Sequence, residues 1–530
     1  MIKICVVGAG LTGWLTAIAL KQKCPDISVT IVNSKTEPRN VGIGEACPPF
    51  FFKWLFDVLG VKPQERDAWS IDFFKQTKSA VKNAMHFQNW TAPEDRAYYH
   101  PFMFNSDSRS VISRDFIERA EADNDTYRLT DIWYELYAQG RKTSSQYSED
   151  MADLYWATMD NKFPFYQNKF INLESITCHI SSNEMIQFLE DNYASRLDQV
   201  LDITVADIEM TESGMIKSLI DSNGNAHRFD LYIDCTGFKR IFAKHIDFEF
   251  APAPNKILHN AAVIVNKSYQ DRAELDRELT GYTAFYGMRS GWLWEIPLMN
   301  RKSTGYVFNS SEYDIDRARD ELLARTGTDN FLHDPLVVQW QPGWNHLAWN
   351  KNAITVGLSA GFIDALDANT IAVQIQQISK IAQSLNNPKN IVAARHEYNT
   401  TVNQLYSDTI ERQDIHFSLA PRNDTAYWQR NKSVFNQKDL LDLILNVKLK
   451  NTKDFSRTPS LYYDAHWLGY FMYYGHDLSI RTHNSSPELL DLAEVYFDNK
   501  RKFGQAQARL LPTASEWLEQ IGVNVEDCIL

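Results

Sequence analysis

Ile2-Lys3-Ile4-Cys5-Val6-Val7-Gly8-Ala9-Gly10-Leu11-Thr12-Gly13-Trp14-Leu15 is the stretch on which the fold turns. Its apolar run enters Gly8-Ala9-Gly10-Leu11-Thr12-Gly13, which fits GxGxxG, and a helical pattern follows over Leu15 to Leu20. In that setting each glycine has a steric reason. Gly8 permits the tight turn, Gly10 lets a pyrophosphate approach the backbone, and Gly13 lets the helix pack close to the sheet. The helix N-terminus then faces the anion. An alternating run from Ile27 to Val32 completes a βαβ unit.

Dinucleotide sites of this kind carry an acid on the ribose about twenty residues past the last glycine. Asn33 stands there instead. Its carboxamide still bonds a ribose hydroxyl, and since a carboxylate accepts stronger hydrogen bonds, the sequence predicts that Asn33→Asp tightens the nucleotide. A second strand-then-glycine turn, Asp234-Cys235-Thr236-Gly237-Phe238, follows the apolar run Leu231-Tyr232-Ile233. A late strand whose turn approaches the cofactor is usual in FAD enzymes and favours FAD over NAD.

Working outward, Trp69 to Trp90 reads as helix passing into strand, and Tyr98 to Phe104 as an aromatic pocket wall or core patch. Met185 to Tyr193 has a helical pattern. Strand-like runs recur at Val200–Ile208, Leu231–Ile233, Ala261–Val265, Gly305–Phe308 and Ile354–Val356, and helical patterns take over from Ile371 to Leu385 and Ile391 to Ile410. The predicted class is α/β: an FAD-binding Rossmann-like module over residues 1–400, built from discontinuous pieces, with a mainly helical substrate-capping region over residues 401–530. At 530 residues the chain exceeds the size of one typical core, which supports two packed modules.

The net charge of −13 repels phosphate backbones and anionic lipid, so neither nucleic acid nor membrane is an expected partner. Six scattered cysteines without a CxxC pair suggest neither a metal site nor a disulfide framework. The chain opens directly on its first strand, without the pattern of a signal peptide. A soluble, cytoplasmic protein is the expectation.

Five further stretches resemble, together with the glycine loop, the flavin-dependent tryptophan halogenase family, with gaps, from Ile2 to about Gln376. Gly291-Trp292-Leu293-Trp294-Glu295-Ile296-Pro297 matches the family's WxWxIP signature, whose aromatics lie beside the flavin and keep organic substrate from it. Without the other motifs it would read as an aromatic strand with Trp292 and Trp294 on one face. Val41-Gly42-Ile43-Gly44-Glu45-Ala46 is similar to GVGEA, and otherwise reads as a glycine-rich hairpin. His100-Pro101-Phe102 is similar to the substrate-sandwiching HPF, although a core histidine fits His100 equally well. Lys82 lies eight residues before Trp90, in register with the essential lysine of FKxAIKFxNW. Its rival reading is a solvated helix face formed with Lys75 and Lys78.

Gly361-Phe362-Ile363-Asp364-Ala365-Leu366-Asp367-Ala368-Asn369-Thr370 resembles GFxxPLEST, with Asp367 in place of glutamate, Ala365 of proline and Ala368 of serine. The resemblance implies that Lys82 and Asp367 are catalytic, that the amides of Asn369 and Thr370 hold halide, and that Trp292, Trp294, His100 and Phe102 line the substrate. It places FAD against Gly8, Gly10, Leu11, Thr12, Gly13, Asn33, Gly44, Glu45, Ala46 and Gly357. Trp467, in the last third, is a further substrate candidate, though that third has no clear match to the tryptophan-specific pattern.

The implied activity uses FADH2 from a separate flavin reductase, oxygen and chloride, bromide or iodide to make hypohalous acid, which Lys82 presents to an electron-rich ring. The departures at Asp367 and Ala368 suggest a roomier, less polar chamber and a preference for bromide or iodide. A phenol or indole is the expected substrate rather than free tryptophan, and a homo-oligomer is compatible. The alternatives are an FAD-dependent aromatic hydroxylase and, from another class, a nucleotide-binding scaffold without chemistry.

Overall fold

A computed structural model describes residues 1–36, 44–93, 97–101, 129–171, 173, 176–254, 259–386, 390–433, 469–470, 472–475 and 485–529. The strand Lys3–Val7 sits centrally in a six-stranded sheet. It pairs in parallel with Ser28–Val32 on one side and Leu231–Asp234 on the other. The helix Leu11–Lys23 follows the glycine turn at once. Alternation divides the strand: Ile4 and Val6 point into a large core with the helices, while Cys5 and Val7 pack with Tyr232, Leu219 and Phe242 on the other face. The expected α/β module is therefore present.

A seven-stranded sheet forms the second layer, with Ala84–Gln88 paired to Tyr98–Pro101 and, in parallel, to Tyr282–Gly287. Gly291–Leu298 and Arg301–Phe308 extend it. Trp292, Trp294 and Ile296 face an aromatic core shared with Phe87, Phe285 and Trp90, and Leu293 points to the opposite face with Tyr306 and Phe308. A three-stranded sheet, Gly44–Ala46, Thr177–Ser181 and Ala80–Lys82, contacts this layer through Gly291–Leu298. The segment at Gly44 is thus a strand paired with a distant one rather than half of a hairpin. The helix-into-strand reading of Trp69 to Trp90 is met by helix Arg66–Thr77 and strands Ala80–Lys82 and Ala84–Gln88.

The helix Ile391–Leu419 spans 29 residues. Tyr398, Val402 and Leu405 lie in the nucleotide-side core, whereas Phe417 and Leu419 lie in the aromatic core. The boundary placed at residue 400 falls inside this helix, which belongs to both cores. Phe102, Phe104, Trp467 and residues 41–43 lie outside the described residues. Of the Leu461 to Tyr474 cluster, residues 469–470 and 472–474 are described, and Tyr470, Tyr473 and Tyr474 are all buried in the aromatic core.

Close packing at one backbone position sets the attitude of a signature tryptophan. A Cβ added to Gly305, which pairs with Trp294 across the sheet, would collide with the Trp294 indole. Gly305→Ala should therefore lower unfolding stability by about 1–3 kcal/mol, read from urea denaturation, while Gly10→Ala, where an added Cβ meets nothing within 4 Å, should leave apo-protein stability within about 1 kcal/mol of the parent.

Candidate active site

The glycine loop fits the pyrophosphate it was read to hold. A Cβ on Gly8 would lie 2.7 Å from the Cys235 carbonyl oxygen, and one on Gly13 would collide with the Gly8 carbonyl, so both glycines are forced by packing. At Gly10 the space is open, at the N-cap of a helix with no acid in its first turn. That is an anion cradle. The turn after Asp234 does approach the loop, since Cys235 is what Gly8 touches. Gly357, at φ 67°, closes against the Thr12 side chain, and its N–H donates to Gln377 Oε1 at 2.9 Å.

Asn33 is buried at the end of its strand, and its Nδ2 donates to Glu190 Oε1 at 3.2 Å. Glu190, on helix Ser182–Tyr193, brings to this place the carboxylate that the second strand lacks. No signal in the sequence marked it, because it lies 157 residues away. This reverses the expectation for Asn33. A carboxylate there would lose the donor and stand against Glu190.

Lys82 lies on a strand and is fully buried, which removes the solvated helix face as its setting. Its Nζ donates to the Cys47 carbonyl at 3.4 Å. Desolvation lowers its pKa to about 8, against the opposing pull of the Asp367 carboxylate. His179, on the adjacent strand, is also fully buried and is kept neutral by burial and by Lys82. It donates to or accepts from Thr283 Oγ1 at 2.8 Å. The sequence reading missed it, as a lone histidine in an apolar strand carries no signal. Glu45, partly exposed, is raised to about 7 by desolvation of its carboxylate.

Asp367 is the most constrained group of the site. Arg412 Nε donates to its Oδ2 at 2.7 Å and His416 Nε2 at 2.9 Å. Burial opposes the carboxylate's charge, but Arg412 and His416 outweigh it and hold the acid well below the ordinary range. His416 itself is lowered by burial, so it donates as a neutral ring and accepts from the Tyr474 hydroxyl at 3.0 Å. Neither Arg412 nor His416 was singled out in the sequence; both lie on one face of helix Ile391–Leu419, four residues apart.

Directly after Asp367 and Ala368, the 18-residue helix Asn369–Asn386 begins. Its first turn lines a small cavity of about 20 Å³ with Gly361, Ile363, Asp364 and Tyr406. Asn369 is 2% exposed, and among the described residues neither its Oδ1 nor its Nδ2 has a hydrogen-bond partner. Asp364 accepts from Trp292 Nε1 at 3.4 Å, and its Oδ2 lies 2.7 Å from His259 Nδ1. Trp292 and Trp294 are buried side by side, with ring centroids 5.9 Å apart. His100 is fully buried, lies 3.1 Å from the Tyr98 hydroxyl and stacks on Tyr470 at 4.3 Å.

A family model described as tryptophan halogenase matches residues 3–486. The chain belongs to the tryptophan halogenase family. It is 26% identical over 436 residues to tryptophan 7-halogenase KtzQ of Kutzneria sp. (strain 744), covering 81% of this chain and 78% of that one. It is 24% identical over 438 residues to tryptophan 6-halogenase ThaL of Streptomyces albogriseolus, covering 81% and 79%. In fold it resembles the tryptophan halogenase of Shewanella frigidimarina NCIMB 400, at TM-score 0.82 and 22% identity, covering 98% and 97% of the two chains. The protein is a flavin-dependent halogenase, an enzyme that uses FADH2 and halide to halogenate an aromatic substrate, with its flavin reduced by a separate reductase. Among the described residues no helix is long and apolar enough to cross a membrane.

The Asn33–Glu190 pair yields a direct test. Asn33→Asp should weaken FAD binding about tenfold, from the lost hydrogen bond and the facing carboxylates, and Glu190→Gln in the same chain should recover part of it. Fluorescence titration of FAD measures both.

Proposed function

We propose that this halogenase modifies an electron-rich ring, a phenol or indole, through Lys82, with halide held at the start of helix Asn369–Asn386. The observation that carries the reading is the fully buried lysine, with its pKa drawn down to about 8 beside the locked carboxylate of Asp367. Bound as FADH2 and given oxygen, the flavin supplies the two-electron oxidation that turns halide into hypohalous acid.

The chain's own residues do the rest. The helix N-terminus and the Asn369 Nδ2 donors suit a halide, since a desolvated anion needs N–H groups to replace its water. This carboxamide is a donor that the reading of a less polar chamber left out. Trp292 and Trp294 wall the site with apolar rings, and Asp364 fixes the Trp292 indole. Lys82 acts as the free amine that takes up and delivers the halogen. With a pKa of about 8, about a tenth of it is neutral at pH 7. Asp367 accepts positive charge near the lysine, while His416, neutral and hydrogen-bonded, holds its carboxylate in place.

The aromatic ring binds on the His100 and Tyr470 side of the aromatic core, where tyrosines dominate. We place the enzyme in the cytoplasm, where a flavin reductase has NAD(P)H to draw on.

Incubation with FADH2, oxygen, each halide and a panel of phenols, indoles and tryptophan, followed by mass spectrometry, tests the reading. A halogenated phenol or indole is expected, whereas hydroxylated product without halogen, or a panel in which tryptophan surpasses every simpler ring, would overturn the corresponding part. Lys82→Ala should abolish halogenation and leave FAD binding and flavin oxidation intact. In the parent enzyme the halogenation rate should rise with pH, reach half its plateau near pH 8 and level off roughly one unit higher, because half of the amine is neutral at its pKa and nearly all of it a unit above. Asn369→Ala should raise the halide KM about tenfold, most for chloride, the most strongly hydrated of the three halides, as shown by initial rates with each halide in turn.

A further inference from the structure

Two thiols lie in the strands that carry Lys82. The pairing of Ala46 with His179 continues by one residue, so that Cys47 stands directly opposite Cys178, with Cys47 N–H donating to the Cys178 carbonyl at 3.0 Å. Both are fully buried free thiols, and the Cys178 thiol adds to burial in holding Cys47 protonated. Directly opposed residues of antiparallel strands have Cα atoms about 4.5–5.5 Å apart. That separation lies within the span a disulfide bridges without backbone rearrangement. Cys178 also pairs with Val81 on the Lys82 strand, and the Lys82 ammonium donates to the carbonyl of Cys47. The dithiol therefore adjoins the residue at which the halogenating oxidant is consumed.

We propose that Cys47 and Cys178 are an oxidant-sensitive dithiol, which closes to a disulfide when hypohalous acid reaching Lys82 finds no aromatic ring. The inference rests on the proposed role of Lys82. In the first step the Cys47 sulfur bonds the halogen, the oxygen–halogen bond breaks, and the departing hydroxide leaves as water with the thiol proton. In the second the Cys178 sulfur displaces halide from Cys47, forming the S–S bond and releasing a proton. Two thiols are oxidised by two electrons, and the halogen is reduced to halide. Burial, with the neighbouring thiol, keeps Cys47 protonated, so the pair resists slow oxidation from solvent and responds to an oxidant made within the protein. The remaining thiols are placed differently: Cys24 donates to the Ala382 carbonyl and Cys235 approaches the Thr16 hydroxyl. Because the Cys47 carbonyl is the Lys82 acceptor, closing the bridge fixes the strand end that positions the amine.

The test is turnover of the full enzyme with FADH2, oxygen and bromide in the absence of aromatic substrate, followed by alkylation and peptide mass spectrometry. A Cys47–Cys178 linked peptide is expected to become the main form, with the other four cysteines alkylated. Adding a good aromatic substrate, or omitting bromide, should suppress the link severalfold. Halogenation should fall severalfold after substrate-free turnover and return with dithiothreitol, and Cys178→Ala should show no dithiothreitol-dependent recovery. Free Cys47 and Cys178 after bromide turnover, or equal linkage without bromide, would overturn the proposal. Brominated product in a parallel reaction with aromatic reports on the halogenase reading by itself. If none forms, hypobromous acid added below one equivalent serves as the oxidant, and alkylation of both thiols while other cysteines are oxidised rejects the dithiol alone. The peptide map of the parent enzyme decides the matter even if Cys178→Ala fails to fold.

Discussion

The buried knot of Asp367 with Arg412 and His416 is the constraint on which the site depends. Asp367 and Ala368 both adopt left-handed backbone, at φ 64° and 58°, which costs about 1–2 kcal/mol each for residues with a Cβ. The turn persists because Arg412 and His416 seize the carboxylate from a helix belonging to both cores. Releasing it would leave a guanidinium or a carboxylate uncompensated in the interior, a penalty larger than the strain. With the turn held, helix Asn369–Asn386 starts where it does, and Asn369 and Thr370 of its first turn line the cavity.

The same knot ties the aromatic half to the nucleotide half. Arg412 reaches the Tyr470 hydroxyl at 3.4 Å, Tyr470 stacks on His100, and Tyr474 bonds His416. Asp367 thus connects, within one continuous set of contacts, the proposed halide end of the site to the proposed ring-binding end. The signature tryptophans Trp292 and Trp294 share one apolar cluster with Leu366 and Ala368 of the turn that the knot secures.

Burial supplies the chemistry. A lysine in water stays charged far above neutral pH; within this three-stranded sheet it titrates near 8 because desolvation outweighs the nearby negative charge. The low-dielectric surroundings act the same way on His179, kept neutral, and on Cys47, kept as a thiol. Asp367 is the exception that the others require, a charge retained because its partners are delivered with it.

The sequence alone determined the elements whose signals are local. Gly8, Gly10 and Gly13 announce a strand–turn–helix cradle because only that geometry needs glycine at those spacings, and alternation at Trp292 and Trp294 announces one face of a strand. The register of Lys82 to Trp90 and the GFIDALDANT segment supplied, by resemblance, the positions proposed to be reactive. What pairs distant segments was not legible. Glu190 beside Asn33, Arg412 and His416 on Asp367, His179 beside Lys82 and Cys47 opposite Cys178 each join residues far apart in the chain, and neither spacing nor composition carries that information. Periodicity also allowed Lys82 a solvated helix; the tertiary structure decided against it, because Ala80–Lys82 pairs with Thr177–Ser181, a strand distant in the chain that no local pattern announces.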